Sequence, residues 1–131
     1  MTPLLKLVLF MALVTWLCLL GASLIRARAW TPSGMAQAMG NREAMPELSG
    51  LAGRADRTAK NSLENLLLFA AIALVAQASA VQSPLILQGA QLFVGARLLF
   101  VAVYYLGIPY LRTVVWSASI VGLGMMIWPL F

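Results

Sequence analysis

The chain has 131 residues, of which 62% are hydrophobic and only 10% are charged. An ordinary soluble domain carries about 25% charged residues, so this composition excludes that class and fits a single domain, residues 1–131. With no His and a single cysteine, Cys18, the chain cannot build a His-dependent triad, a His- or Cys-based metal site or an internal disulfide, and we expect no metal.

The charged residues are concentrated in one part of the chain. Ten of the 13 lie between Arg26 and Glu64, and the others are Lys6, Arg97 and Arg112. The windows between them are long and apolar, and a membrane-spanning helix needs about 20 such residues. The pattern predicts four spans, at about residues 3–25, 56–80, 85–106 and 110–129. The predicted fold class is therefore all-α, an integral membrane four-helix bundle.

The first predicted helix contains an uninterrupted apolar run between Lys6 and Arg26. This run is longer than the apolar core of a secretory signal peptide, and three further spans follow, so we expect the helix to be retained. Residues 26–55 are rich in turn-forming Pro, Gly and Asn and are predicted to form a long loop. The later links, near residues 82–84 and 107–109, are very short, which favours an antiparallel up-down topology.

The positions of Lys and Arg predict how the chain is oriented in a membrane. The side with the first and third loops holds most of them: Arg26, Arg28, Arg42, Arg54, Arg57 and, at its edge, Arg112. The side with both termini has Lys6 alone. The excess of positive charge predicts that the first and third loops face the cytoplasm. The net charge of +5 is then explained by topology, and we expect no nucleic-acid partner.

Several polar side chains fall inside the predicted spans, where they are costly and usually face the protein interior. Four of them share one face of the second predicted helix through their spacing: Arg57, Lys60, Asn61 and Glu64. On the third predicted helix, Arg97 lies near the middle and Tyr104 follows seven residues later on the same face. Arg112 and Thr113 open the fourth, where unpaired N–H groups and the helix dipole favour anions.

Each of these residues also has a purely structural explanation. Glu64 and Arg97 are compatible with an interhelical ion pair, Arg57 and Lys60 with side chains that extend to lipid headgroups, and Arg112 with a topology anchor. Taken together, they favour a cytoplasmic pocket for a small molecule with several charges. Glutathione, with two carboxylates, one ammonium and one thiol, matches this mixture, and other anionic cofactors match it too. A cation at a helix N-terminus stabilises a thiolate, which makes Arg112 a candidate catalytic residue.

Two sequence patterns resemble the MAPEG superfamily, the membrane-associated proteins in eicosanoid and glutathione metabolism. The first is the segment RADRTAKNSLENLLLF at residues 54–69. The second is Arg97, followed by Tyr104, a Gly/Pro break and Arg112. The basic exit of the first helix at Arg26 is similar as well, and the loop GNREAMPELSG resembles that of small bacterial members.

The resemblance implies a homotrimer of four-helix subunits, with glutathione as co-substrate held between neighbouring subunits near the cytoplasmic face. For the bacterial branch, the host membrane would be the inner membrane. The implied glutathione contacts are Arg57, Lys60, Asn61, Glu64, Arg97 and Tyr104, with Arg26 reaching over from the adjacent subunit. Arg112 matches the family's thiolate-stabilising arginine, and Thr113 stands where some members have a serine.

The sequence also departs from the family pattern. Lys60 stands where the eicosanoid branch has an arginine, and Phe100 and Trp116 stand where some members have a tyrosine. The leading hypothesis is a glutathione transferase or peroxidase whose thiolate attacks a lipophilic electrophile or hydroperoxide arriving from the bilayer. The alternative is a non-catalytic lipid-binding or scaffold protein, because the superfamily contains such a member. A small proton-coupled exporter that depends on Glu64 is the third hypothesis.

Overall fold

The computed structural model describes every residue from Met1 to Phe131 and contains helices but no strands. In chain order the elements are α1 (Pro3–Ala27), α2 (Pro32–Met39), α3 (Gly50–Ser79), α4 (Pro84–Leu106), α5 (Pro109–Ile127) and a terminal 3-10 turn (Trp128–Leu130). Four segments are long and apolar enough to cross a membrane, namely α1, α3, α4 and α5 with its terminal turn. The all-α fold class with four spans is confirmed.

The segment between the first two spans differs from the prediction of one long loop over residues 26–55. Its Thr-Pro-Ser-Gly stretch begins a short helix, because Thr31 Oγ1 accepts a hydrogen bond from the Gly34 amide at 3.0 Å and Pro32 occupies the first helical position. The next span, α3, begins at Gly50 instead of Asp56. The six residues that the prediction left out include two glycines, which are poor helix formers, and the charged Arg54, so hydropathy alone does not reveal this start. Residues 28–31 and 40–49 remain outside helices in this segment.

A sharp turn between α4 and α5 brings the end of one helix close to the start of the next. Gly107 has φ 75°, a conformation that a residue without Cβ adopts at little cost, and its N–H donates to Tyr104 O. The Ile108 amide donates to Val103 O, and Pro109 opens α5. Because only Gly107 and Ile108 separate the two helices, Tyr104 and Arg112 are held near each other.

Two polar contacts show which helix ends are neighbours. Thr2 Oγ1, at the start of α1, donates to Gln77 Oε1, near the end of α3, at 2.7 Å. At the other end of the bundle, Arg54 Nε in the first turns of α3 donates to Tyr105 O near the end of α4, at 3.1 Å. The end of α1, the start of α3, the end of α4 and the start of α5 thus lie together, and we call this the basic end.

The core is apolar and is completed by contacts among all four spans. The rings of Phe69 in α3 and Phe93 in α4 stack with centroids 4.5 Å apart. Met11 from α1 and Met126 from α5 are fully buried beside them. Large apolar side chains also cover the outer surface, as Leu67 does with 73% of its area exposed. An outer surface of this kind is expected for helices that face lipid or neighbouring membrane subunits.

Helices α4 and α5 approach each other most closely at a pair of glycines. A Cβ atom added to Gly89 would lie 2.6 Å from Gly122 O, and one added to Gly122 would lie 2.7 Å from Gly89 O. The two backbones are therefore in direct contact, a type of packing for which membrane helices use small residues.

Gly122→Ala should destabilise the protein, because the new methyl group meets backbone atoms of Gly89 and Phe93 that cannot move independently. Overpacking of this kind costs about 1–3 kcal/mol, so the thermal unfolding midpoint in detergent should fall by several degrees. Gly124→Ala is the matched control in the same helix, since nothing lies within 4 Å of its added Cβ. An equal loss of stability in the two variants would contradict the close approach.

Candidate functional site

The ring of Tyr104, in the last turns of α4, lies between two arginines from neighbouring helices. Arg57 Nε in α3 donates a hydrogen bond to Tyr104 Oη at 3.0 Å. Arg112 Cζ in α5 lies 5.0 Å from the ring centroid, within the range of a cation–π contact. Three helices therefore meet at Tyr104 at the basic end.

Two adjoining cavities surround this tyrosine, and we call them together the Tyr104 cavity. The outer one has a volume of about 290 Å³ and includes Arg54, Arg57, Tyr104 and Arg112 in its lining. The inner one has a volume of about 280 Å³ and is lined by Asn61, Phe100, Tyr104, Arg112, Thr113 and Trp116. Three arginines and no carboxylate line the combined space, which suits an anionic ligand.

Hydrogen bonds from Arg97 and Asn65 fix the orientation of the Asn61 side chain in the inner cavity. Its Oδ1 accepts a hydrogen bond from Arg97 Nη2 at 2.7 Å and a longer one from Asn65 Nδ2 at 3.4 Å. A guanidinium group can only donate, so the amide oxygen must face Arg97. The Asn61 amide nitrogen has no partner within the chain and is available as a donor to a ligand.

Arg97 itself lines neither cavity, because it is completely buried behind Asn61. Its guanidinium carbon lies 4.3 Å from the centroid of the Phe100 ring, and its Nε and Nη1 atoms have no hydrogen-bond partner. The ion pair with Glu64 that was considered from the sequence is not formed. Glu64 is exposed on α3, and the one salt bridge in the chain joins Lys60 Nζ to Asp56 Oδ2 at 2.9 Å.

Two of the predicted ligand contacts, Arg26 and Lys60, line a different cavity on the α1 side of α3. The helical spacing suggested that Lys60 shares a face with Arg57. However, three residues along a helix still leave an angular offset of about 60°. Since α3 packs between α1 and α4, this offset directs Arg57 towards α4 and Lys60 towards α1, and the ion pair with Asp56 keeps Lys60 there.

The nine predicted site residues are thus divided by the structure. Those brought together in the Tyr104 cavity are Arg57, Asn61, Tyr104, Arg112 and Thr113. Arg97 supports this group from behind, Arg26 and Lys60 lie in the other cavity, and Glu64 lies on the outer surface.

Sequence reasoning missed two residues that belong to this arrangement, Arg54 and Asn65. Arg54 lines the outer cavity and is three residues before Arg57, so the polar stripe of α3 extends one turn further than predicted. Asn65 is four residues after Asn61 and also donates through Nδ2 to the Asn61 carbonyl at 2.9 Å. Continuing the same helical spacing in both directions would have identified both residues.

The sequence of the chain matches a family of known membrane proteins. The MAPEG family model matches residues 4–131, nearly the whole chain. The chain belongs to the MAPEG family. The resemblance inferred from residues 54–69 and from Arg97, Tyr104 and Arg112 is therefore confirmed. Neither the search of curated proteins nor the search of solved structures returned a match.

Family membership and the four apolar helices together identify an integral, multi-pass membrane protein. As a MAPEG protein, it belongs to the superfamily of glutathione and eicosanoid metabolism.

The buried guanidinium predicts an unusual order of stability among variants of this MAPEG protein. Asn61→Leu removes the only hydrogen-bond acceptor of Arg97 and should cost about 2–3 kcal/mol. Arg97→Met removes a buried charge that no carboxylate neutralises, so we expect a change below about 1 kcal/mol.

Thermal unfolding of the two variants and of the double variant tests this order. The double variant should resemble Arg97→Met, because once the charge is gone nothing remains unsatisfied. A larger loss for Arg97→Met than for Asn61→Leu would mean that the guanidinium has an anionic partner.

Proposed function

We propose that this MAPEG protein is a membrane-bound glutathione transferase or peroxidase that binds glutathione in the Tyr104 cavity. The observation that carries the proposal is the position of Arg112. It lies in the first turns of α5 beside Thr113, contacts the Tyr104 ring and forms no ion pair or hydrogen bond through its side chain. A free guanidinium near a helix N-terminus, facing a cavity without carboxylates, is a suitable environment for a thiolate.

The residues of the cavity match the functional groups of glutathione. Arg54 and Arg57 in the outer cavity suit its two carboxylates, and the free amide of Asn61 suits a peptide carbonyl. The thiol would then extend into the inner cavity towards Arg112 and the Thr113 hydroxyl. Phe100 and Trp116 line the same inner space and would contact a lipophilic second substrate.

In the proposed reaction, Arg112 stabilises the thiolate and the released proton leaves through the open basic end. With an electrophile, the thiolate sulfur forms a bond to carbon and the leaving group departs with its electron pair. With a hydroperoxide, the thiolate attacks the terminal oxygen and the O–O bond breaks. The sulfur becomes a sulfenic acid, and the alkoxide takes up a proton from solvent at the basic end and leaves as an alcohol. A second glutathione then converts the oxidised sulfur into a disulfide and water.

The proposal includes a homotrimer of antiparallel four-helix subunits, located in a bacterial inner membrane with the first and third loops in the cytoplasm. Glu64 supports the oligomer, because an exposed carboxylate on a spanning helix needs a polar partner and the subunit itself supplies none. In such an assembly, Glu64 would meet the ammonium group of glutathione. Arg26 and Lys60 would reach the ligand only from an adjacent subunit, since they lie on the far side of α3.

Phe100 and Trp116 also support a second candidate function, a non-catalytic protein that binds a lipid in the inner cavity. In that case Arg112 would have no catalytic role, and a co-purifying lipid would occupy the place of the glutathione thiol.

Addition of millimolar glutathione to the purified protein should produce the ultraviolet absorbance of a bound thiolate. Arg112→Ala should reduce this signal at least about tenfold, because the thiolate loses its cation. Arg28→Ala is the matched control, an exposed arginine of the basic end that lines neither part of the Tyr104 cavity. S-methylglutathione should bind without the absorbance.

The enzyme hypothesis fails if calorimetry detects no glutathione binding and no thiolate forms. A co-purifying lipid whose retention is the same in Arg112→Ala would instead support the lipid-binding function.

Native mass spectrometry should detect assemblies of three 14.1 kDa chains. Glu64→Ala should shift the population towards monomers, because the carboxylate loses its intersubunit contacts, whereas Glu43→Ala in the first loop should not. A wild-type protein that is monomeric in mild detergent would contradict the trimer.

A further inference from the structure

A second charged cavity lies at the basic end. The proposed function assigns it no ligand of its own, although two of its residues, Arg26 and Lys60, are proposed to reach the glutathione of an adjacent subunit. It has a volume of about 300 Å³ and lies between the end of α1, the first loop and the first turns of α3. It shares no lining residue with the Tyr104 cavity. Its cationic residues are Arg26, Arg42 and Lys60. We call it the Arg42 cavity.

Both arginines of this cavity are held by the backbone in the same way. Arg26 Nε donates to Pro46 O at 3.2 Å, and Arg42 Nε donates to Ala38 O at 3.0 Å. The two terminal nitrogen atoms of each guanidinium have no partner in the chain. The side chains are thus restrained while their terminal donors stay free, which lowers the entropic cost of binding an oxyanion.

The charge of the cavity is not neutralised from within. Asp56 is its only acidic lining residue, and its carboxylate is already paired with Lys60 at 2.9 Å. The charges of Arg26 and Arg42 therefore remain uncompensated. Two guanidinium groups with free terminal donors match the geometry of a phosphate group.

The wall of the cavity changes from charged to apolar towards the middle of the membrane. Leu19 and Ala22, on the same helix as Arg26, form its deeper part. Leu19 precedes Arg26 by seven residues, about 10 Å along the helix, and 39% of its surface is exposed. A soluble anion would use only the charged mouth, whereas a lipid would use the mouth and the apolar wall.

We propose that the Arg42 cavity binds an anionic glycerophospholipid, with the phosphate between Arg26 and Arg42 and an acyl chain along Leu19. The lipid connects residues 40–49 to the end of α1 at the membrane surface. This site goes beyond the proposed function and does not depend on it, because its distinguishing residue, Arg42, lies outside the Tyr104 cavity.

Native mass spectrometry of the detergent-solubilised protein, titrated with phosphatidylglycerol or phosphatidylcholine of identical acyl chains, tests this site. We expect one tightly retained phosphatidylglycerol per subunit and about tenfold weaker retention of phosphatidylcholine. Arg42→Gln should weaken phosphatidylglycerol retention about tenfold, through the loss of a charged hydrogen-bond donor. Arg42→Lys keeps the charge but loses the paired donors of the guanidinium group, so its phosphatidylglycerol retention should lie between that of Arg42→Gln and that of wild type.

Arg28→Gln is the matched control, since it removes the same charge from an exposed position two residues after Arg26 and outside the cavity. Equal losses in Arg28→Gln and Arg42→Gln would overturn the proposal in favour of diffuse attraction to the surface. Equal retention of the two lipids would also overturn it.

Two competitors separate the lipid from other anions. Displacement of the lipid by equimolar inorganic phosphate would assign the cavity to a soluble anion and overturn the proposal. Displacement by glutathione would make it part of an adjacent subunit's glutathione site, with the same consequence. The thermal unfolding midpoint of Arg42→Gln should equal that of wild type, which shows that this variant is folded.

Discussion

The enclosed guanidinium of Arg97 is the constraint on which the arrangement of the bundle at the site depends. A charge with no exposed surface and no carboxylate partner must be held by hydrogen bonds and ring contacts, and here Asn61 and Phe100 provide them. The bond between Arg97 and Asn61 joins α4 to α3 within the span. The same bond orients the Asn61 amide towards the cavity. A single interaction thus sets both the packing of two helices and the polarity of the inner cavity.

Helix α3 divides the basic end into two regions of different chemistry. On its α4 side, Arg54 and Arg57 contribute to a space without carboxylates, where the ring of Tyr104 separates Arg57 from Arg112. On its α1 side, the ion pair between Asp56 and Lys60 neutralises part of the charge. Residues only one turn apart along the same helix therefore meet quite different surroundings. The net charge of the sequence adds the charges of both regions together and therefore does not reveal this difference.

The sequence was sufficient for features that depend on one helix at a time. Apolar length predicts the four spans, and the spacing from Arg97 through Tyr104 to Arg112 predicts the residues around the tyrosine. Prediction was weaker where neighbours decide the outcome. The side of α3 on which Lys60 falls depends on which helix packs there, and the start of α3 at Gly50 depends on contacts such as that of Arg54 with Tyr105 O. The burial of Arg97 likewise depends on the surrounding helices, which no spacing rule specifies.

The contact between Gly89 and Gly122 has a mechanical consequence for the site. The two backbones touch there and cannot approach further, so the contact acts as a fulcrum for α4 and α5. Tyr104 is 15 residues further along α4, about 22 Å from this point. At that lever length, a rotation of about 5° displaces the tyrosine by about 2 Å. Because the turn at Gly107 also ties the two helices together at the basic end, a rotation of α4 against α5 is restrained at two points, and Tyr104 and Arg112 keep their spacing.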